Sequence, residues 1–161
     1  MGQIIKNRQI TEDPWRHIAD DAELPAGPVI VSLARWGQER TALLARGGPL
    51  GVRAPNTAPV ANLAGDLPHW DVVALEFPKF ADGRAYSQAR LLRERYGYQG
   101  EIRAVGDVLR DQLLFMARSG FDAFELRADR RLDDALAAFG EFSESYQPAT
   151  DQPLPLYRRG R

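Results

Sequence analysis

The fold is decided by the stretch that reads VVALEF (72–77), SQARLLRERY (87–96), EIRAV (101–105), DVLRDQLLFMAR (107–118) and DAFEL (122–126). Strand-like and helix-like patterns alternate along it: apolar runs of strand length are followed by segments whose apolar residues recur every three or four positions. Strands joined by helices run parallel, and the crossover between them is right-handed. The stretch therefore predicts two consecutive β-α-β units.

The sequence before this stretch adds elements of the same kind. Residues 29–33 (VIVSL) form an apolar run typical of a strand that is buried on both faces. Residues 38–46 (QERTALLAR) contain good helix formers, the following Gly47 and Gly48 are typical of a helix end, and a strand is expected at 50–53. These patterns predict an α/β fold with a mostly parallel sheet of about five strands and crossover helices, either Rossmann-like or half-barrel-like.

Two segments in the first half of the chain are less regular. We expect a short edge strand near Ile4 and a helical turn around Trp15, because Asp13 before Pro14 is a typical helix N-cap. Apolar spacing within residues 60–67 predicts a short amphipathic helix.

The last part of the chain is expected to form a final helix of the domain and then a tail outside the domain. Apolar spacing predicts a helix over residues 131–142, whereas residues 147–161 contain three prolines and end in YRRGR. We interpret residues 1–146 as a single α/β domain and residues 147–161 as a Pro-rich basic tail that is mobile or docks on a partner.

The composition excludes several classes of site. The absence of cysteine excludes disulfides, thiolate-bound iron–sulfur clusters, CxxC redox chemistry and a cysteine nucleophile. His17 and His69 lie in unrelated segments without zinc-site spacing, so no metal site is expected. A formal net charge of -1 provides no bulk attraction for nucleic acid or anionic membrane. Without a signal-like or membrane-spanning run, we expect a cytoplasmic protein, and its residues identify no cofactor.

The loop after VVALEF carries the first candidate site. Asp82, Gly83, Arg84 and Ser87 lie beyond the carboxyl end of a predicted strand, where parallel sheets bind ligands. Arg84, Ser87 and free backbone N–H groups of the following helix would hold a carboxylate, phosphate or sulfur oxyanion. In the structural alternative, Asp82 caps the helix and Gly83 makes the turn.

The next strand end carries two carboxylates. If a helix begins at Asp107, then Asp107 and Asp111 share one of its faces and could act as acid and base or coordinate a divalent ion. In the structural alternative, Asp107 is an N-cap and Asp111 pairs with an arginine. Arg53, Glu125 and Arg127 are expected near the same rim, which therefore mixes acids and arginines.

Three motifs resemble a known bacterial family. The segments FPKFADGRAYSQARLLRERYG (77–97), GEIRAVGDVLRDQ (100–112) and RSGFDAFEL (118–126) resemble the DUF934 family, whose members are often labelled probable oxidoreductases involved in sulfite reduction. Arg103 lies in the second motif, and we assign it to the anion site on that ground. The resemblance implies a role beside assimilatory sulfite reductase.

Three functions follow as hypotheses. The first is an accessory protein that binds a small oxyanion, with sulfite reductase or another sulfur-assimilation protein as its partner. The second is a small lyase- or isomerase-type enzyme with Asp107 or Asp111 as base and Arg84 at the oxyanion. The third is a structural interaction module that contacts its partner through the basic tail. The residues leave open whether the protein is catalytic and whether it forms a homo-oligomer.

Overall fold

An eight-stranded sheet organises the protein. The structure is a computed structural model that describes residues 2–78, 83–126 and 131–145. The strands are β1 (Gln3–Lys6), β2 (Gln9–Glu12), β3 (Arg16–His17), β4 (Val29–Ser32), β5 (Leu50–Ala54), β6 (Val72–Phe77), β7 (Glu101–Gly106) and β8 (Ala123–Phe124). Their spatial order is β2-β1-β8-β7-β6-β5-β4-β3. Strands β3 to β8 run parallel, whereas β1 is antiparallel to both β8 and β2.

The predicted parallel crossovers between residues 72 and 126 are confirmed, but the predicted number of strands is too small. Strand β2 pairs with β1 through a hairpin whose turn residues Asn7 and Arg8 both have positive φ. Strand β3 forms where a helical turn was predicted around Trp15. There the backbone N–H of Arg16 donates to Pro28, so this segment pairs with the start of β4 instead of coiling.

The helices lie between consecutive strands or after the last one. They are α1 (Leu33–Arg46), α2 (Arg84–Glu94), α3 (Leu113–Ser119) and α4 (Leu132–Ser145), with 3₁₀ helices at Val60–Asn62, Ala64–His69 and Arg110–Gln112. Helix α1 begins earlier than predicted because the Ser32 hydroxyl caps it by accepting from the Arg35 N–H. No helix in these described ranges is long and apolar enough to cross a membrane.

Two predicted helices are wrong in kind or in extent. The segment expected to be one amphipathic helix within 60–67 forms two 3₁₀ helices, with Pro59 before the first and Pro68 inside the second. The helix expected from Asp107 begins only at Leu113. The N–H of Asp107 donates to the Phe77 carbonyl and so continues the pairing of β7 with β6 instead of opening a helix.

The sheet is strongly curled, so the half-barrel-like alternative is the correct one. Strands β2 and β3 occupy opposite edges of the sheet, yet only residues 13–15 separate them in the chain. An extended chain advances at most about 3.6 Å per residue, which limits the gap between the two edges to roughly 14 Å. The segment 13–15 therefore crosses the open side of the half-barrel.

The two faces of the sheet differ in chemistry. The outer face packs against the helices, and Val52, Leu75 and Ile102 are fully buried there against residues such as Leu92 and Met116. Each such side chain contributes about 1.5–3 kcal/mol on burial. The inner, concave face has a small apolar cluster and otherwise carries charged side chains. The apolar cluster comprises Ile30, Val72, Ala74 and Val105, with Trp15 packed against it.

Replacing Gly106 by alanine should destabilise the fold. Gly106 has a φ of 94°, and a Cβ added there would overlap the Phe77 carbonyl oxygen. A positive φ costs about 1–3 kcal/mol for a residue with a side chain, and the overlap adds to this cost. Urea unfolding should show the loss, with Gly65→Ala as the control, because no atom within 4 Å would meet its Cβ. Equal stability of the two variants would contradict this account of the strand end.

Candidate functional site

Charged side chains gather where the parallel strands end. His17 is the last residue of β3, Arg53 and Glu76 lie one residue before the ends of β5 and β6, and Glu125 follows β8 directly. The N–H of Glu125 donates to the Ala104 carbonyl, which keeps this residue in the sheet. Ligands of parallel sheets bind beyond these carboxyl ends. We call the group formed by His17, Arg53, Glu76 and Glu125 the carboxyl-edge site.

A buried arginine supports this site from below. The Arg103 side chain is 0% exposed and lies on the concave face of the sheet. Its Nε donates to Glu101 at 2.7 Å, and its Nη1 donates to Glu125 at 2.8 Å. Its Nη1 and Nη2 also donate to the two carboxylate oxygens of Asp13 at 2.9 and 3.0 Å. This bidentate contact fixes the segment that crosses the half-barrel.

The buried charges compensate one another. Burial alone would lower the pKa of the Arg103 guanidinium, but hydrogen bonds to Asp13, Glu125 and Glu101 and the Glu101 charge hold it raised. Burial likewise works to raise the pKa of Glu125, yet hydrogen bonds from His17 and Arg103 hold it below its ordinary value. Arg103 is therefore a permanent cation and Glu125 a carboxylate at neutral pH.

The imidazole of His17 links the buried charges to the surface. Its Nε2 lies 2.7 Å from Glu125 Oε2, and its Nδ1 lies 3.0 Å from Arg53 Nη1. A guanidinium only donates hydrogen bonds, so Nδ1 must accept, and the proton of the neutral ring is on Nε2 facing Glu125. The Arg53 Nε then lies 3.2 Å from Glu76 Oε2.

These contacts form one continuous chain of charges. It starts at Lys6, which pairs with Glu101 at 2.9 Å, and continues through Arg103, Glu125, His17 and Arg53. It ends at Glu76, whose side chain is 42% exposed. Such a network positions its members firmly because each polar group has partners of opposite character.

A cavity opens beside the exposed end of this chain. It has a volume of about 310 Å³ and is lined by Arg53, Asn56, Glu76, Phe77, Pro78, Val105 and Gly106. The volume is at the lower end of the range for small-molecule sites, and the lining combines an apolar wall with a few polar groups. An arginine fork beside an amide suits a small oxyanion, while His17 and Glu125 nearby suit proton transfer.

A larger cavity of about 750 Å³ lies at the opposite, amino-terminal edge of the strands. Its wall includes Arg93, which donates to the carbonyls of Tyr98, Gly100 and Gly120 at 2.8 to 3.0 Å. This arginine ties together the loops before β7 and β8, which is a structural task. The position of the strand ends therefore favours the smaller cavity as the ligand site.

The first predicted anion site is only partly described. Asp82 lies outside the described residues. Gly83, Arg84 and Ser87 are exposed at the start of α2, and the described lining of the 310 Å³ cavity does not include them. Their role in binding an anion stays a prediction.

The predicted carboxylate pair does not share a helix face. Asp107 is half-buried directly after β7, whereas Asp111 is exposed in the 3₁₀ helix before α3. The expected arrangement required a helix that starts at Asp107, and this helix does not form. A catalytic role for either residue stays a prediction.

Arg103 was assigned to the anion site, and the structure places it below that site. All its guanidinium nitrogens already donate to carboxylates, so it positions Asp13 and Glu125, and direct binding of an anion by it stays a prediction. Arg53 and Glu125 lie at the rim as expected, and Arg127 lies outside the described residues.

Sequence reasoning missed Asp13, His17 and Glu76 as site residues. Asp13 is 90 residues from Arg103 in the chain, a separation that no local pattern reveals. The one available signal was the charged residue inside each of the apolar strands EIRAV and VVALEF, since alternate positions on a strand face the same side. Within the described ranges, no group of three or more His, Asp or Glu side chains is placed to hold a metal ion.

Replacing Arg103 by methionine should strongly destabilise the fold at neutral pH. The variant leaves Asp13, Glu101 and Glu125 without their shared cation, and breaking a buried ion pair in this way costs about 3–5 kcal/mol. Because the folded state lowers the pKa of Glu125, its ionised form stabilises the fold above the ordinary value of 4.5, and this contribution is lost as the pH falls. Protonation also relieves the unpaired carboxylates of the variant, so the deficit should shrink toward pH 4.5.

The measurement is urea unfolding of both proteins as a function of pH. Arg90→Met is the matched control, since Arg90 is exposed on α2. A deficit that is small or that does not change with pH would contradict the central role of Arg103.

Comparison with protein families agrees with the resemblance of the three motifs. The model of the DUF934 family, described as bacterial protein of unknown function, matches residues 51–157. This range includes Arg53, Glu76, Arg103 and Glu125 of the site, whereas Asp13 and His17 precede it. No curated protein matches the chain. Since the family match spans more than half of its residues, the chain belongs to the DUF934 family.

Proposed function

We propose that the protein binds a small oxyanion at the carboxyl-edge site and serves as an accessory or partner of sulfite reduction. The observation that carries the binding proposal is the position of Arg53. Its side chain is 24% exposed in the wall of the 310 Å³ cavity, held between His17 on one side and Glu76 on the other. The link to sulfite reduction rests on the resemblance of the motifs at 77–126.

The geometry of Arg53 supports an oxyanion as ligand. Its Nη1 contacts His17 and its Nε contacts Glu76, while its Nη2 has no hydrogen-bond partner among the described residues. A planar guanidinium donates two parallel hydrogen bonds to two oxygens of one anion. Asn56 adds an amide to the cavity wall, and Phe77 and Val105 keep part of that wall apolar. Such walls strengthen the charge-assisted bonds by excluding water.

Glu76 competes with the ligand. Its carboxylate is 3.2 Å from Arg53 and is itself 42% exposed, so an entering anion has to take over part of this pair. Exposed ion pairs contribute at most about 1 kcal/mol, so a bidentate ligand can replace this one at small cost. The site therefore favours ligands with at least two oxygens on one atom, a class that includes carboxylates, phosphates and sulfur oxyanions.

An accessory role suits the composition. Without cysteine the chain has no thiolate for redox chemistry or for cluster ligation. A protein that holds a sulfur oxyanion beside a reductase needs only a binding pocket, and the partner then supplies the electrons. Sulfite reductase is the partner that the resemblance implies.

A second candidate is a lyase- or isomerase-type enzyme that works at the same edge. It is favoured by the hydrogen bond between His17 and Glu125 beside an arginine, since general acid–base catalysis uses a positioned imidazole or carboxylate next to an anion-binding group. In this candidate His17 and Glu125 take the roles that the sequence assigned to Asp107 and Asp111.

Replacing Arg53 by glutamine should weaken oxyanion binding. We expect calorimetric titration of the wild type with sulfite, sulfate and phosphate to give a saturable signal for at least one of them. The affinity should fall at least about tenfold in Arg53→Gln, which corresponds to one charge-assisted hydrogen bond. Glu76→Gln should bind more tightly because it removes the competing carboxylate.

Arg90→Gln is the matched control, because it removes the same charge from an exposed position of α2. Absence of any binding by the wild type, or equal affinity in Arg53→Gln, would overturn the proposed site.

A strain without the gene should grow poorly when sulfate or sulfite is the sole sulfur source, and normally on cysteine. The wild-type gene and the Arg90→Gln gene should restore growth, whereas the Arg53→Gln gene should not. Normal growth of the deletion strain on sulfate would count against a role in sulfite reduction while leaving anion binding intact.

A further inference from the structure

We propose that oxyanion binding at Arg53 is coupled to the uptake of one proton by His17, which then presents that proton to the ligand. This inference rests on the proposed anion site. It follows from the position of the His17 imidazole between Arg53 and Glu125. The Arg53 guanidinium can only donate hydrogen bonds, and the Glu125 carboxylate can only accept them.

In the ligand-free protein, Arg53 occupies the Nδ1 position of His17. The Arg53 Nη1 donates to His17 Nδ1 at 3.0 Å, so a proton on Nδ1 would set two N–H groups against each other. The ring proton on Nε2 is directed at Glu125 Oε2, 2.7 Å away. The unprotonated Nδ1 therefore carries the lone pair that can accept a hydrogen bond, and this lone pair accepts from the Arg53 guanidinium.

The charged groups that contact Arg53 and Glu125, directly or through Arg103, determine the electrostatic potential at the imidazole. They are Arg103 on β7, Asp13 before β3 and Glu76 on β6, which contact Glu125, Arg103 and Arg53 respectively. Counting Arg53 and Glu125 as well, the imidazole is surrounded by two cations and three carboxylates. This surrounding favours a positive charge on the ring as soon as Arg53 no longer occupies Nδ1.

A bound anion can draw Arg53 away from Nδ1. When Nη1 and Nη2 of the guanidinium turn to two oxygens of a ligand, Nδ1 of His17 loses its donor and the charge of Arg53 is balanced by the ligand. A proton from water or from a buffer acid then moves onto Nδ1, while the Nε2–H bond to Glu125 stays. For a dianion such as sulfate, two negative charges and one proton enter together, so the proton offsets half of the added charge, and the new N–H is available to a ligand oxygen.

The coupling assigns a chemical class to the ligand. It has to offer two oxygens to Arg53 and a further oxygen that accepts a hydrogen bond from an imidazolium. Tetrahedral or pyramidal oxyanions such as sulfate and sulfite meet this requirement, whereas a simple carboxylate has only two oxygens. By thermodynamic reciprocity, affinity for such an anion should rise as the pH falls.

Sulfate is the probe of choice because it remains a dianion between about pH 5 and 8, where imidazole titrates. Uptake of one proton on binding makes its affinity rise by up to about tenfold for each unit by which the pH falls. Calorimetry in two buffers of different protonation enthalpy should report uptake of about one proton. His17→Gln should bind sulfate with no proton uptake and no pH dependence.

A ligand-free measurement separates this inference from the proposed function. The chain has only two histidines, and His69, which lies against Trp36, serves as an internal reference. Nitrogen NMR should show His17 as the Nε2–H tautomer in the wild type. In Arg53→Met, which removes the donor to Nδ1, the Nδ1 signal of His17 should shift and its Nδ1–H tautomer should become populated, while the signals of His69 stay unchanged.

The outcomes are distinct. If wild-type His17 is found as the Nδ1–H tautomer, or its nitrogen signals are the same in Arg53→Met and in the wild type, the coupling is overturned whatever the ligand does. If sulfate binds through Arg53 with neither proton uptake nor pH dependence, the coupling is overturned and the anion site stands. If no anion binds while the histidine tautomers behave as expected, the proposed function fails and only the hydrogen bond from Arg53 to His17 remains.

Discussion

The structure depends on one buried cation and the carboxylates that surround it. Arg103 has no exposed surface, and removing its charge from water would cost several kcal/mol if its partners were absent. Asp13, Glu101 and Glu125 offset this cost by accepting its hydrogen bonds. Glu101 lies on the same strand as Arg103, whereas Asp13 and Glu125 come from other parts of the chain, so the full set of ion pairs forms only when the half-barrel is folded.

This constraint explains where the candidate site lies. The bidentate bond from Arg103 holds Asp13, and Asp13 begins the short segment that crosses the open side of the sheet. That crossing delivers His17 to the edge strand, where its ring reaches both Glu125 and Arg53. A structural ion pair inside the half-barrel therefore sets the geometry of the surface at which a ligand could bind.

Much of the outer architecture could be read from local patterns. The parallel order of β6, β7 and β8 and the helices between them follow from apolar spacing, because each element buries its own stripe against the same core. Local patterns failed where a side-chain or backbone group is used by a distant residue. Asp13 accepts from the Trp15 N–H as a cap would, yet it also bonds to Arg103 and no helix follows it. Asp107 looks like a helix start, but its N–H pairs with Phe77.

The sequence by itself determined the fold class, the parallel strands after residue 71, the exclusion of thiol chemistry and the family. It also placed Arg53 and Glu125 near one rim, because both stand at strand ends. Only the tertiary structure decided the curl of the sheet and which charges meet on its concave face. The physical reason is that ion pairs act across space with no periodic trace in the chain: His17 and Glu125 are 108 residues apart, and only the closing of the half-barrel brings them within 2.7 Å.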